Sequence, residues 1–145
     1  MITTIVQKAK EIHPTTIMLV HVGKFFKVYG KDAFIVSYHF NYKLTKDNGG
    51  IPTCGFVDKL IPKVASKLED EKINYFILER KENYEIVENK DFKDLNKYEK
   101  NFERAKIYGN NMMLLNEIVK NINSDIYSVI MNQKLNKILR IIKDE

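Results

Sequence analysis

Residues Gly23–Ala33 read Gly-Lys-Phe-Phe-Lys-Val-Tyr-Gly-Lys-Asp-Ala. The leading Gly-Lys pair turns the chain, and Phe25–Tyr29 is a short run of aromatic and β-branched residues. Gly30 closes that run, and a helix follows over about Lys31–Phe40. Alternation along a strand puts Phe25 and Phe26 on opposite faces of the sheet. Just upstream, Thr16–Val22 is continuous and β-branched, the pattern of a buried strand. Downstream, Asn41–Thr45 reads as a third strand, Asp47-Asn48-Gly49-Gly50 as a turn, and Ile51–Phe56 as a fourth strand.

The same periodicities extend outward. Ile5, Ala9 and Ile12 mark a helix over Thr3–His13, which Pro14 stops. Asp58 suits the N-cap of a helix over Lys59–Glu71, with Leu60, Val64 and Leu68 on one face and Pro62 in the first turn. Asn74–Arg80 and Tyr84–Glu88 read as strands joined by the hairpin Lys81-Glu82-Asn83. This order predicts an α/β (α+β) fold, a mixed β-sheet flanked by helices, over residues 1–90.

Residues 91–145 are expected to be a helical extension. Leu115, Ile118, Val119 and Ile122 form one apolar stripe. Asn123-Ser124-Asp125 signals a second helix start, with a stripe of Tyr127, Met131, Leu135, Ile138 and Ile142. One amphipathic helix cannot bury its own stripe. The helices therefore either pack on the domain or each other, or form a homodimer interface centred on Met131, Leu135, Ile138 and Ile142.

Composition sets bounds. The 145 residues are 44% hydrophobic and 30% charged, as in a globular chain. The net charge of +5 permits a polyanionic partner without demanding one, because lysines and acids are interleaved. One cysteine, Cys54, rules out an intrachain disulfide. With no signal peptide pattern and no bilayer-length apolar run, a soluble cytoplasmic protein is expected, with no membrane partner.

Four short motifs add to this reading: Gly23-Lys24-Phe25-Phe26-Lys27, Asp32-Ala33, Leu44-Thr45-Lys46, and Ile51-Pro52-Thr53-Cys54-Gly55. Together they resemble the N-terminal, mismatch-reading domain of the MutS family of DNA mismatch repair proteins. That family's pattern runs roughly G-D-F-Y-E-x-F/H-x-x-D-A, then L-T-K/R, then I-P-M-A-G-x-P. The resemblance covers about the first two thirds of the chain and implies a mixed-sheet domain standing without the ATPase. It also implies that Phe25 is a wedge stacking into the duplex beside a mispair, where unstacking is easiest. Read from the residues alone, Phe25 is better placed in the core, as most strand phenylalanines are.

Lys27 stands where the family carries the glutamate that hydrogen-bonds the displaced base. Lysine donates and cannot accept, so at this position it suits phosphate or plain solvent. The non-reading subunit of the eukaryotic heterodimer also lacks the glutamate, and Tyr29–Ala33 looks closer to that subunit. Lys24, Lys31, Lys43 and Lys46 would form a basic rim around the wedge.

Other chemistries find little support. His13, His21 and His39 lack metal-ligand spacing, so no metal is expected, and without a phosphate-binding loop no cofactor or ATPase activity is expected either. The expected function is a non-catalytic DNA-binding or repair-associated accessory module, with duplex DNA as partner and weak mismatch preference. The alternative is a protein-interaction or scaffold module acting through its C-terminal helices. A small nuclease is a third reading, but no acidic cluster at metal-binding spacing supports it.

Overall fold

The structure, a computed structural model, describes residues 4–80, 83–93 and 95–145. Its elements in chain order are α1 (Thr4–Ile12), β1 (Ile17–Val22), β2 (Phe25–Tyr29), α2 (Lys31–Phe40), β3 (Thr45–Lys46) and β4 (Pro52–Val57). A 3₁₀ turn (Asp58–Leu60) leads into α3 (Ile61–Asp70), β5 (Tyr75–Arg80), β6 (Tyr84–Lys90), α4 (Leu95–Ser124) and α5 (Val129–Lys143). The six strands form one sheet in the order β3-β4-β2-β1-β5-β6. Among the described residues only the central β1–β5 pair is parallel, so the sheet is mixed as expected. The proposed hairpin residues Lys81 and Glu82 lie outside the described residues.

Strands β1 and β5 sit at the centre and are buried on both faces, which is why each reads as an unbroken apolar run. On one face α1 lays Val6 against Met18, Val20, Phe76 and Leu78. The other face carries α2 and α3. The Cys54 thiol of β4 donates to the Ala33 carbonyl of α2 at 3.6 Å, and Tyr75 of β5 donates to Glu69 of α3 at 2.8 Å.

Local signals had mixed success. The third strand shrinks to Thr45–Lys46, because Asn41 takes a left-handed conformation to close α2. Asp58 does not cap α3; it opens the 3₁₀ turn, and its carboxylate goes to His21 instead. The second tail helix starts at Ser128, whose hydroxyl accepts from the Met131 N–H, while Asn123 and Ser124 still belong to α4. Tyr127 consequently lies in the turn, fully exposed, and takes no part in the stripe.

Two compact units result, Met1–Asn110 and Asn111–Glu145. The first includes the opening turns of α4. Tyr98, Phe102 and Ala105 are buried there, with Phe102 edge-on to Phe34 of α2 at 6.0 Å. Gly109 brings the backbone of α4 onto α2: a Cβ at that position would lie 2.3 Å from Cδ1 of Phe34 and 2.9 Å from Cδ2 of Leu44. Gly109→Ala should therefore lower stability by about 1–2 kcal/mol. Overpacking costs about 1–3 kcal/mol, and alanine's better helix propensity returns up to about 1 kcal/mol. An unchanged or raised melting temperature would mean that Phe34 yields freely.

Candidate nucleic-acid interface

Strand β2 alternates strictly between faces. Phe25 is 51% exposed and Phe26 3%; Lys27 is exposed, Val28 is buried and Tyr29 is half-buried. Register extends the open face sideways. Val22 of β1, Phe25 of β2 and Val57 of β4 pair across three strands, so the exposed phenylalanine sits within an apolar row. Val22 and Val57 are themselves exposed. The next row places Lys27 between Val20 and Gly55. A Cβ on Gly55 would lie 3.0 Å from the Phe26 carbonyl oxygen and 4.0 Å from Cγ of Lys27, so a larger residue there would crowd the neighbouring strand.

Below that row a shallow pocket of about 170 Å³ opens among Lys27, Tyr29, Lys43, Thr45, Asp47 and Thr53. Tyr29 has its phenol pushed upward by burial and by Tyr84 and Asp47, so it stays a neutral donor. Asp47 spends one carboxylate oxygen on the Gly49 and Ile51 N–H groups, at 2.9 Å each. The other oxygen is buried and has no partner among the described residues. Among the described residues, Lys24, Lys27, Lys43 and Lys46 pair with no carboxylate.

The far side of the strand holds this face rigid. Phe26 stacks on His21 at 4.5 Å and on Phe56 at 5.5 Å, and Phe56 stacks in turn on Tyr42. His21 bridges Glu79 at 3.2 Å and Asp58 at 3.3 Å. The Asp58 N–H donates to the Lys24 carbonyl at 2.9 Å and fixes the turn that begins at Gly23. The aromatic on the open face thus stands on a strand whose other face is fully packed, as a wedge requires.

The predicted site residues divide into two groups. Phe25, Lys27 and the adjacent turn residue Lys24 share one region. Lys46 follows Thr45 on the edge strand, and because Thr45 shares the Thr53 and Tyr29 face, Lys46 projects from the opposite one. Lys31, at the start of α2, carries its ammonium 4.9 Å from the Phe102 ring centre on α4. Val22 and Val57 were missed as neighbours of Phe25. Each reads locally as a strand-end valine, and only sheet register brings them together.

Asp32 has a larger structural role than starting a helix. It is 1% exposed and accepts from Lys10 at 2.7 Å, the Tyr98 hydroxyl at 2.5 Å and the Met18 N–H at 3.0 Å. Cys54 is buried, with its thiol pushed up to about 12, mainly by burial, which makes it a poor nucleophile. Among the described residues no helix is long and apolar enough to cross a membrane, and no cluster of His, Cys, Asp or Glu is placed to hold a metal.

A mixed sheet that is packed behind one strand and open in front of it, with an exposed aromatic and unpaired lysines, is the frame of a recognition domain. Residues 2–110 match MutS domain I, and the chain belongs to that family. MutS domain I is a non-catalytic recognition domain. The match ends where the first compact unit ends. No curated protein matches the chain.

Proposed function

We infer that the chain is a DNA-contacting module that performs no chemistry and discriminates mispairs weakly. Phe25 stacks against the duplex while Lys24 and Lys27 meet phosphates. The observation that carries this reading is the 51% exposure of Phe25 within an apolar row, on a strand otherwise locked into the core. A purely scaffolding role would have no need of an exposed phenylalanine among unpaired lysines. Lys31 and Lys46 contribute less, because they lie off the Phe25 face. The single buried thiol suits a reducing compartment.

The weak discrimination follows from Lys27. An ammonium cannot accept a hydrogen bond from a base, and a phosphate contact carries no information about pairing. Anisotropy titrations over a range of salt should give affinities for matched and mispaired duplex within about tenfold, or roughly 1.4 kcal/mol. Lys27→Glu should weaken both and reduce the salt slope by about one. Absence of salt-dependent binding to any duplex would defeat the reading. A strong mispair preference in the unaltered chain would show that the missing glutamate is dispensable.

A further inference from the structure

Residues Asn111–Glu145 form a unit of their own, in which the end of α4 turns back through Asp125–Ser128 into α5. At roughly 35 residues it lies below the size, about 40 residues, at which chains usually hold together without disulfides, metals or association. Its sequence contains no cysteine. Ile118 and Ile122 of α4 face Met131 and Ile138 of α5 across a small cavity, and Met131 is buried there. This seam uses only part of the apolar surface.

At about 100° per residue, Leu115, Val119 and Ile122 lie to one side of the α4 seam, and Leu135, Leu139 and Ile142 lie to one side of the α5 seam. The sense of rotation reverses between antiparallel helices, so these two sides are the same side of the hairpin. They make one continuous apolar face. Leu115 is 49% exposed, Val119 43%, Leu139 49% and Ile142 75%, while Ile122 and Leu135 are half-buried.

We propose that this face is covered by the same face of a second copy, closing two hairpins into a four-helix bundle. Charge placement selects this occupant. The face is rimmed by Asn116 and Asn123 on α4 and by Asn132 and Asn136 on α5, with Lys143 at one end. Lys137 points to the opposite side of α5, Arg140 lies beyond Asn136 and off the face, and Lys134 lines the seam side. A membrane-bound helix would instead carry its cations beside the apolar face, where they reach lipid phosphates. A rim of mostly uncharged asparagines lets the face meet its own copy with little like-charge repulsion. Two such faces with their rims bury on the order of 1,000 Å², the lower edge of a specific interface, which fits a dimer dissociating in the micromolar range. The proposal is independent of DNA contact. It differs from the sequence expectation in moving Met131 and Ile138 into the seam within each hairpin and in adding Leu139, while Leu135 and Ile142 remain at the interface.

Sedimentation equilibrium of the full chain across about 1–100 µM tests it. The unaltered chain should dimerise. Leu139→Glu and Ile142→Glu should each raise the dissociation constant at least about a hundredfold, because a carboxylate would be buried in an apolar contact. Lys137→Glu, on the opposite side, should leave the dimer intact. Helix content by circular dichroism should be unchanged in all three. If Leu139→Glu loses helix, Ile142→Glu in the last turn decides alone. A wild-type chain that stays monomeric throughout, or glutamate variants that dimerise as before, would overturn the proposal. A monomer that co-floats with phosphatidylserine vesicles would overturn it in favour of a lipid surface.

Discussion

Asp32→Ala is expected to destabilise the folded chain by about 3 kcal/mol, the lower end of the range for breaking a buried ion pair. The carboxylate joins α1, β1, α2 and α4 through Lys10, the Met18 N–H and the Tyr98 hydroxyl. Alanine would strand the Met18 N–H and the Tyr98 hydroxyl in an apolar interior, while Lys10 keeps the Thr16 carbonyl at 2.7 Å. The Lys10 side chain is 26% exposed and can regain some water, which holds the loss to the lower end. Tyr98 is 1% exposed and cannot. Urea unfolding should show the loss, with a fall in melting temperature of about 10 °C. Asp32→Asn keeps an acceptor for Lys10 and Tyr98 but turns an amide toward the Met18 N–H, so it should lose less. A loss under about 1 kcal/mol for the alanine variant would show that the network only breaks even with water.

The same residue gives a pH signature. Burial lifts the Asp32 carboxyl above its ordinary value, while Lys10, Tyr98 and the Met18 N–H pull it down less strongly. The folded chain therefore holds this proton more tightly than the unfolded one. Its contribution is fully present below the ordinary value of 3.8 and is lost as pH rises through the raised folded value. In Asp32→Asn that part of the pH dependence should vanish. An identical stability profile in the two chains would contradict the assignment.

Phe25→Ala should weaken duplex binding by about 1–3 kcal/mol, or roughly 5- to 150-fold, with little change in melting temperature. Its neighbour should behave in the opposite way. Phe26 is 3% exposed and sandwiched between His21 and Phe56, so Phe26→Ala should cost about 3–5 kcal/mol of folding free energy. Thermal melts and anisotropy titrations of the two variants form a cross-check, because the adjacent phenylalanines stand on opposite faces of β2, one exposed and one buried. Undiminished DNA binding by Phe25→Ala would remove the wedge. A collapse of its melting temperature would make Phe25 structural.

Much of this was readable one residue at a time. The strand Phe25–Tyr29 and the helix Lys31–Phe40 have the predicted bounds, since glycine turns and apolar periodicity are local properties. The motifs around Phe25 and Gly55 were enough to mark the family that the match over residues 2–110 bears out. Errors fell where a polar residue had two roles open to it. Asp58 has the chemistry of a helix cap, and nothing near it in sequence reveals that His21 lies in reach. Asn123-Ser124-Asp125 and Ser128 are both sound start signals, and packing of Met131 against α4 selects the second.

The sequence by itself determined the order of elements, the mixed sheet, the aromatic pair on β2 and the loss of an acceptor at Lys27. All of these depend on residue type and on spacing within a few positions. Tertiary structure alone decided which of the two phenylalanines faces outward, that Val22 and Val57 flank it, that Lys31 and Lys46 leave its face, and that Asp32 joins four elements. These depend on register and on which layer covers which face. Alternation only says that Phe25 and Phe26 differ. The helices that cover one side of β2 and leave the other open are set by contacts between residues far apart in the chain.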